Sequence, residues 1–156
     1  MTIEIERRFL LADDSWRKAA SEPLVLQQGY LSVEKERTIR VRIIGSQAWL
    51  TLKGYISDMT RSEFEYEIPL AHAQAMMADM CPFKMEKYRY QVEFKGFVYE
   101  IDEYFGDNAP LIVAEIELPS EDTEFPKPSW LGKEITSDGK FTNAYLSKHP
   151  YSSWTE

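Results

Sequence analysis

The chain has 156 residues, 44% hydrophobic and 28% charged, which reads as one soluble globular domain spanning residues 1–156 with enough apolar mass for a core. A net charge of −8 argues against duplex nucleic acid or an anionic membrane as the main partner. No apolar run nears the roughly 18 residues of a membrane span, acids stand where a leader would be basic then apolar, and the single Cys81 excludes a disulfide framework or a Cys-rich zinc site, so a cytoplasmic protein is expected.

In chain order, Ile3 to Leu10 alternates as a strand with Glu4, Glu6 and Arg8 on one face and Ile3, Ile5, Arg7 and Phe9 on the other. Asp13 to Ala20 predicts a short helix with an acid at its start and bases near its end, stopped by Pro23. Leu24 to Val33 and Thr38 to Ile44 read as strands joined by a charged turn, the second presenting Arg40 and Arg42 on one face. After the Gly45-Ser46 turn, Trp49 to Lys53 is a strand with Lys53, Thr51 and Trp49 together.

Met59 to Leu70 alternates most cleanly, with Arg61, Glu63, Glu65 and Glu67 opposite Phe64, Tyr66 and Ile68. Pro69 opens a helix to about Met80, where Leu70, Ala73, Met76, Met77 and Met80 make a core stripe. Cys81 reads as a small buried hydrophobe, and His72 and His149 as surface or packing residues. Glu86 to Phe94, Phe97 to Tyr104 and Leu111 to Leu118 are further strands, carrying Lys87 and Arg89, Glu100 and Asp102, and Glu115 and Glu117. Pro119 to Trp130 is mostly loop, with a helical turn at Ser120 to Phe125, and Gly139 to Lys148 predicts a last helix ended before Pro150.

Charge is sorted by strand on one face of these segments. Like-signed neighbours two apart repel unless opposite charge lies across from them, and a solvated face seldom needs such blocks. The opposite faces are too apolar to be bare, so helices or a second copy of the chain in a homodimer should cover part of them. The expected fold is α+β and mainly antiparallel: an eight-stranded closed β-barrel, charged within, with a few helices packed outside. Paired carboxylates suit Mg2+ or Mn2+, and Arg/Lys clusters suit phosphate, so together they suggest a metal-bound polyphosphate.

Glu4-Ile5-Glu6-Arg7-Arg8 resembles the ExExK signature of the CYTH superfamily, the triphosphate tunnel metalloenzymes. Arg40-Val41-Arg42, Leu52-Lys53, Arg61 to Glu65, Glu86 to Arg89, Glu100-Ile101-Asp102 and Glu115-Ile116-Glu117 follow in that family's order, and Phe141 to Ala144 is similar to its closing helix. Arg8 departs from the family Lys, replacing a compact ammonium by a planar fork. The resemblance implies one or two ions held by Glu4, Glu6, Asp102, Glu115 and Glu117, with Glu100 completing or orienting the shell. It implies triphosphate gripped by Arg8, Arg40, Arg42, Lys53, Arg61, Lys87 and Arg89, with Arg8, Lys53 and Glu63 in the catalytic centre. Arg61 and Glu63 each also read as a member of a structural ion pair within the lumen, and Glu67 and Glu93 as rim or solvated residues.

Family members act on inorganic triphosphate, on thiamine triphosphate, on RNA 5′ ends, or on ATP as class IV adenylyl cyclases. A compact tunnel favours a compact substrate, so hydrolysis of inorganic triphosphate is the expected activity. The alternatives are a class IV adenylyl cyclase, a thiamine triphosphatase, and a non-catalytic polyphosphate- or nucleotide-binding module.

Overall fold

A computed structural model describes residues 2–154. Within them the chain forms β1 (Thr2–Leu11), β2 (Leu24–Glu34), β3 (Arg37–Ile44), β4 (Gln47–Tyr55), β5 (Thr60–Ile68), α1 (Leu70–Asp79), β6 (Phe83–Phe94), β7 (Phe97–Tyr104), β8 (Ile112–Glu117), β9 (Leu131–Glu134) and α2 (Asn143–Lys148). Every strand pairing is antiparallel, in the order β5-β4-β3-β2-β6-β7-β8-β1. The sheet closes because β1 also pairs with β5, setting Glu4 opposite Arg61, which gives the expected eight-stranded barrel. Closure leaves no open edge along the barrel wall. No helix among the described residues is long and apolar enough to cross a membrane.

The single strand β1 makes closure possible by dividing its two edges. Residues 2–5 pair with β5, residues 6–10 pair with β8, and Phe9 and Leu11 take β9. The short β9 was not expected from the sequence: its four residues follow the loop and alternate too briefly to read as a strand.

Burial follows the two-residue period, with a change of character along the barrel axis. Toward one end the inward positions are Leu10, Met85, Tyr104 and Val113, and these pack with Ile135 and fully buried Leu146 of α2 in an apolar plug. Further along, the inward positions become charged. The lumen is therefore not polar throughout, as the strand pattern alone suggested, because the C-terminal segment supplies apolar partners there.

Outside the barrel, α1 covers Val41, Ile43 and Ala48. The turn around Trp16 and the loop bearing Phe125 and Trp130 cover Val92, Tyr99, Ile116 and Leu118. Leu52, Phe64 and Tyr66 remain exposed.

Local differences from the sequence reading have local causes. The expected helix at Asp13 to Ala20 is only a 3-10 turn, Ser15–Ala19, begun where Asp13 accepts both the amide and the hydroxyl of Ser15. The Ser120 region makes a bare turn, Thr123 N–H to Ser120 O at 3.3 Å. The expected last helix is broken: Gly139–Phe141 is 3-10, Thr142 is extended, and its hydroxyl caps α2 by accepting the Tyr145 amide. Met80 falls off the α1 stripe and is 56% exposed, since the helix ends at Asp79.

Gly29 shows how closely α1 and its exit press on β2. A Cβ there would stand 2.6 Å from Met77 Sδ and 2.9 Å from Cys81 Cβ. Gly29→Ala is expected to lower stability by about 1–3 kcal/mol, the usual cost of overpacking a filled core. Urea unfolding measures it, and an unchanged midpoint would show that α1 rides loosely on the barrel.

Candidate active site

The inward charges surround a cavity of about 740 Å3. Its basic wall is built mainly by β3 and β4, where the period of two turns Arg40, Arg42 and Lys53 inward together. Arg42 Nε donates to Gln28 Oε1 at 2.8 Å and has no carboxylate within salt-bridge distance among the described residues. Burial, and then the neighbouring Arg40 and Arg89, push it down to about 9. Arg40 donates to Thr51 Oγ1 at 3.3 Å and lies 3.8 Å from Glu65, while its Nε is buried without a partner among the described residues. This wall thus holds more positive charge than its own partners balance.

The acidic wall comes from β1, β8 and β7, with Glu6 opposite Glu117 and Glu100 opposite Glu115 in register. Glu4 is engaged: Lys53 Nζ donates to both its oxygens at 2.9 and 3.0 Å, and Arg61 lies 3.2 Å away. Burial opposes ionisation of Glu4, but Lys53 and Arg61 outweigh it and hold it below the usual range. Glu115 is held well below that range because Arg8, Arg89 and Lys87 outweigh its burial. Glu6 has the opposite balance: burial, then Glu115 and Glu4, push it up to about 8. Glu117, nearest solvent, has no salt-bridge partner among the described residues, and burial followed by Glu4, Glu63 and Glu100 raises it.

Two expected site residues stand apart from the cavity wall. Lys87 and Asp102 are both fully buried and joined at 2.6 Å, and Arg89 grips the same Asp102 with a two-pronged contact at 2.8 and 2.9 Å. Lys87 also donates to Asn143 Oδ1 at 3.1 Å. Both face inward as the strand pattern requires, but at the level of the plug, where the protein itself saturates them. Arg61 and Glu63 each take part in an ion pair within the lumen: Arg61 meets Glu4 and Glu6, and Glu63 lies 3.4 Å from Lys53. Glu67 and Glu93 are exposed, as read from the sequence.

The remaining members of the cavity carry no charge pattern and escaped the sequence reading. Tyr30 of β2 lines it beside Arg40, with Thr38 and Thr51 completing that wall, and Gln28 of the same strand supports Arg42 from behind the lining. The one available signal was the Gln28–Tyr30 spacing on a strand whose neighbours were charged. At the mouth stand Lys35, Tyr55, Lys140, Tyr145, Lys148 and His149, with the Tyr145 and His149 rings 4.6 Å apart.

Among the described residues no three His, Cys, Asp or Glu side chains already converge as a metal site. The donor chemistry nevertheless fits a hard divalent cation, because Glu4, Glu6 and Glu115 are oxygen donors crowded enough to drive Glu6 toward its neutral form. A cation there would relieve the repulsion that a proton relieves without it.

A closed barrel that faces bases toward crowded acids across one cavity is a charged tunnel. The CYTH domain family model matches residues 2–145. The chain is 39% identical to an inorganic triphosphatase of Acetivibrio thermocellus over 154 residues, covering 98% of each chain. It is 31% identical to an inorganic triphosphatase of Nitrosomonas europaea over 148 residues, 92% of this chain and 96% of that one. The crystal structure of the inorganic triphosphatase NE1496 superposes with a TM-score of 0.65 at 30% identity, covering 92% of this chain and 97% of that one. The chain belongs to the CYTH family.

The Glu6 balance has a consequence for metal-free protein. Its carboxyl stands near 8 when folded against an ordinary value of 4.5, so folding binds a proton between those values. The stability this group contributes is fully present below the unfolded value and is lost as pH rises through about 8. In excess chelator, the melting temperature of the wild type is expected to fall relative to Glu6→Gln between about pH 5 and about pH 9. A difference constant across that range would mean that Glu6 is ionised throughout.

Proposed function

We propose that this chain hydrolyses inorganic triphosphate to pyrophosphate and phosphate inside the tunnel, with one or two divalent cations, Mg2+ or Mn2+, as cofactor. The observation that carries the reading is the sorted charge: on one wall Arg42 has no balancing carboxylate among the described residues and Arg40 only the exposed Glu65 at 3.8 Å, while Glu4, Glu6, Glu115 and Glu117 crowd the other. A polyanion completes the first wall, and a cation completes the second. Two relatives that align over nearly the whole chain and are named inorganic triphosphatases support the choice of substrate.

In this reading Arg40, Arg42 and Arg89 bind phosphate oxygens, each guanidinium offering a fork suited to that geometry. Lys53 adds a point charge, positioned by Glu4 and Glu63. Arg61 stays with Glu4 and Glu6 and sets their orientation. Glu4, Glu6, Glu115 and Glu117 hold the cation, with Asp102 acting behind them through Arg89. When bound, the cation neutralises phosphate charge and supplies Lewis acidity for attack by water in line with the departing phosphate. The bases meanwhile stabilise charge on the leaving oxygens.

A nucleoside triphosphate is the second reading, favoured by the Tyr145 and His149 rings at the mouth, which offer a base a stacking surface. Assaying inorganic triphosphate, ATP and thiamine triphosphate with Mg2+, Mn2+ or excess chelator separates the readings. Phosphate release from inorganic triphosphate is expected to be fastest and to stop in chelator. Cyclic AMP with pyrophosphate would identify a cyclase, and full turnover in chelator would remove the metal.

Single substitutions then divide the walls. Arg42→Ala is expected to weaken triphosphate binding by about 2–5 kcal/mol, the range for losing one partner of a buried charge contact. Glu117→Gln, which keeps size but removes charge, is expected to cut turnover by about 100-fold or more. Its metal-free melting temperature should match or exceed that of the wild type, since a raised carboxyl is relieved of repulsion. Near-normal turnover in Glu117→Gln would take this residue out of the site.

A further inference from the structure

Arg8 is nine-tenths buried on β1, and its contacts bracket a single loop of the tunnel wall. Its amide donates to Thr136 Oγ1 at 3.0 Å, and its carbonyl accepts from the Ile135 amide at 2.8 Å. Its side chain reaches the other end of that loop, where Nη1 donates to the Phe141 carbonyl at 2.5 Å. That carbonyl is accessible because the chain is extended at Thr142, so no helical ladder continues through it. Between these anchors, Thr136, Ser137, Asp138, Gly139 and Lys140 line the cavity.

The remaining two nitrogens of the guanidinium point to a second task. Nε lies 3.6 Å from Glu115 Oε1, and Nη2 is buried with no partner among the described residues. An unpartnered donor on a permanently charged group is costly in the interior unless something accepts from it. Only a planar fork can hold the Phe141 carbonyl and face Glu115 while leaving a third nitrogen buried and unpaired in a residue that lines the cavity; the ammonium of a Lys is a compact point.

We propose that Arg8 is a positioning residue that couples anion occupancy of the tunnel to closure of the 136–141 loop. An anionic oxygen taken by Nη2 fixes the guanidinium, and the guanidinium in turn holds the loop at the mouth through Phe141. The coupling half of the inference rests on the triphosphate reading above; the strap itself does not.

Hydrogen exchange of the 136–142 amides tests both halves, in chelator so that no turnover occurs, with and without inorganic triphosphate. In Arg8→Lys, ligand-free exchange is expected to be about tenfold faster or more, the equilibrium effect of losing one charge-assisted hydrogen bond. In the wild type, triphosphate is expected to slow exchange of the loop about tenfold further; in Arg8→Lys it should give no such protection although calorimetry still detects binding. Thr136→Val, which cuts the other end of the strap, should speed ligand-free exchange yet keep the protection by triphosphate. It also keeps the test decisive if Arg8→Lys fails to melt cooperatively. Unchanged ligand-free exchange in Arg8→Lys would overturn the strap, and full triphosphate protection in that variant would overturn the coupling. Absence of any triphosphate binding by the wild type would overturn the substrate reading and the coupling with it, while the ligand-free comparison still decides the strap.

Discussion

Asp102 has no solvent exposure, yet it is held below the ordinary carboxylate range because Arg89 and Lys87 together outweigh its burial. Much else is positioned by that contact. Two bases share that one acid, and burial pushes Lys87 down to about 7, so the lasting positive charge is that of Arg89, which also lies 3.5 Å from Glu100 and 4.0 Å from Glu115, while Lys87 reaches Asn143 on α2. Tyr104 OH donates to the same Asn143 oxygen at 2.5 Å, so the last helix is tied to β6 and β7 through one amide. Losing one partner from such a group leaves an uncompensated buried charge, at about 3–5 kcal/mol. The triad therefore fixes the angle of Arg89, the seat of α2 and the floor of the cavity together.

Along the inner face of the barrel, the protein's own charge pairing is graded. Next to the apolar plug lies the saturated Asp102 group, then Glu4 shared between Lys53 and Arg61, and away from the plug Glu117, with no basic partner among the described residues. Coulombic interaction strengthens as water is excluded, so a ligand gains most where charges are buried but not already neutralised. Arg42 meets that condition, held by Gln28 through a neutral hydrogen bond, and Arg40 meets it in part, held by Thr51 with only the exposed Glu65 3.8 Å away. Neutral partners orient the guanidinium groups without competing for the charge. The same logic accounts for inward-facing Gln28 and Thr51 beside the charged inner positions of β3 and β4.

The alternation of β1, β3, β5, β7 and β8 was legible because a period of two is a property of the strand itself, and it correctly placed every charged candidate on the inner face. Pairing across the lumen was not legible. Lys87 and Arg89 occupy equivalent positions in the pattern, yet one is sealed against Asn143 and the other reaches the cavity, because α2 fills only one end. That Arg61 and Glu63 each join an ion pair was readable from their inward face, but their partners were not: strand register sends Arg61 to Glu4 and sets Glu63 opposite Lys53. The break at Thr142 was hidden for a different reason: a Thr within a helical pattern is tolerated, and only the tertiary pull on Phe141 and Asn143 makes it a cap.

Turning the charges inward forces the apolar core outward, and this explains the Pro-rich segment after β8. Tyr99, facing out of β7, donates its hydroxyl to the Pro126 carbonyl at 2.6 Å and packs edge-on against Trp130 at 5.2 Å. Phe125 meets both Phe9 and Tyr99, and Arg7, the one charged outward residue of β1 in this region, lies 5.1 Å over the Phe125 ring while pairing with Glu134. The loop thus does for β1, β7 and β8 what α1 does for β3 and β4. It is also fastened to the tunnel mouth, since Glu121 accepts hydrogen bonds from Ser57 and Thr60 in the turn that leads to Arg61. A loop without regular structure can do this because its carbonyls and aromatic rings, unlike those of a helix, are free to meet a twisted barrel wall one residue at a time. Its order comes from the barrel, and the barrel's outer face is kept dry by it, so neither can be assigned to packing alone or to the site alone.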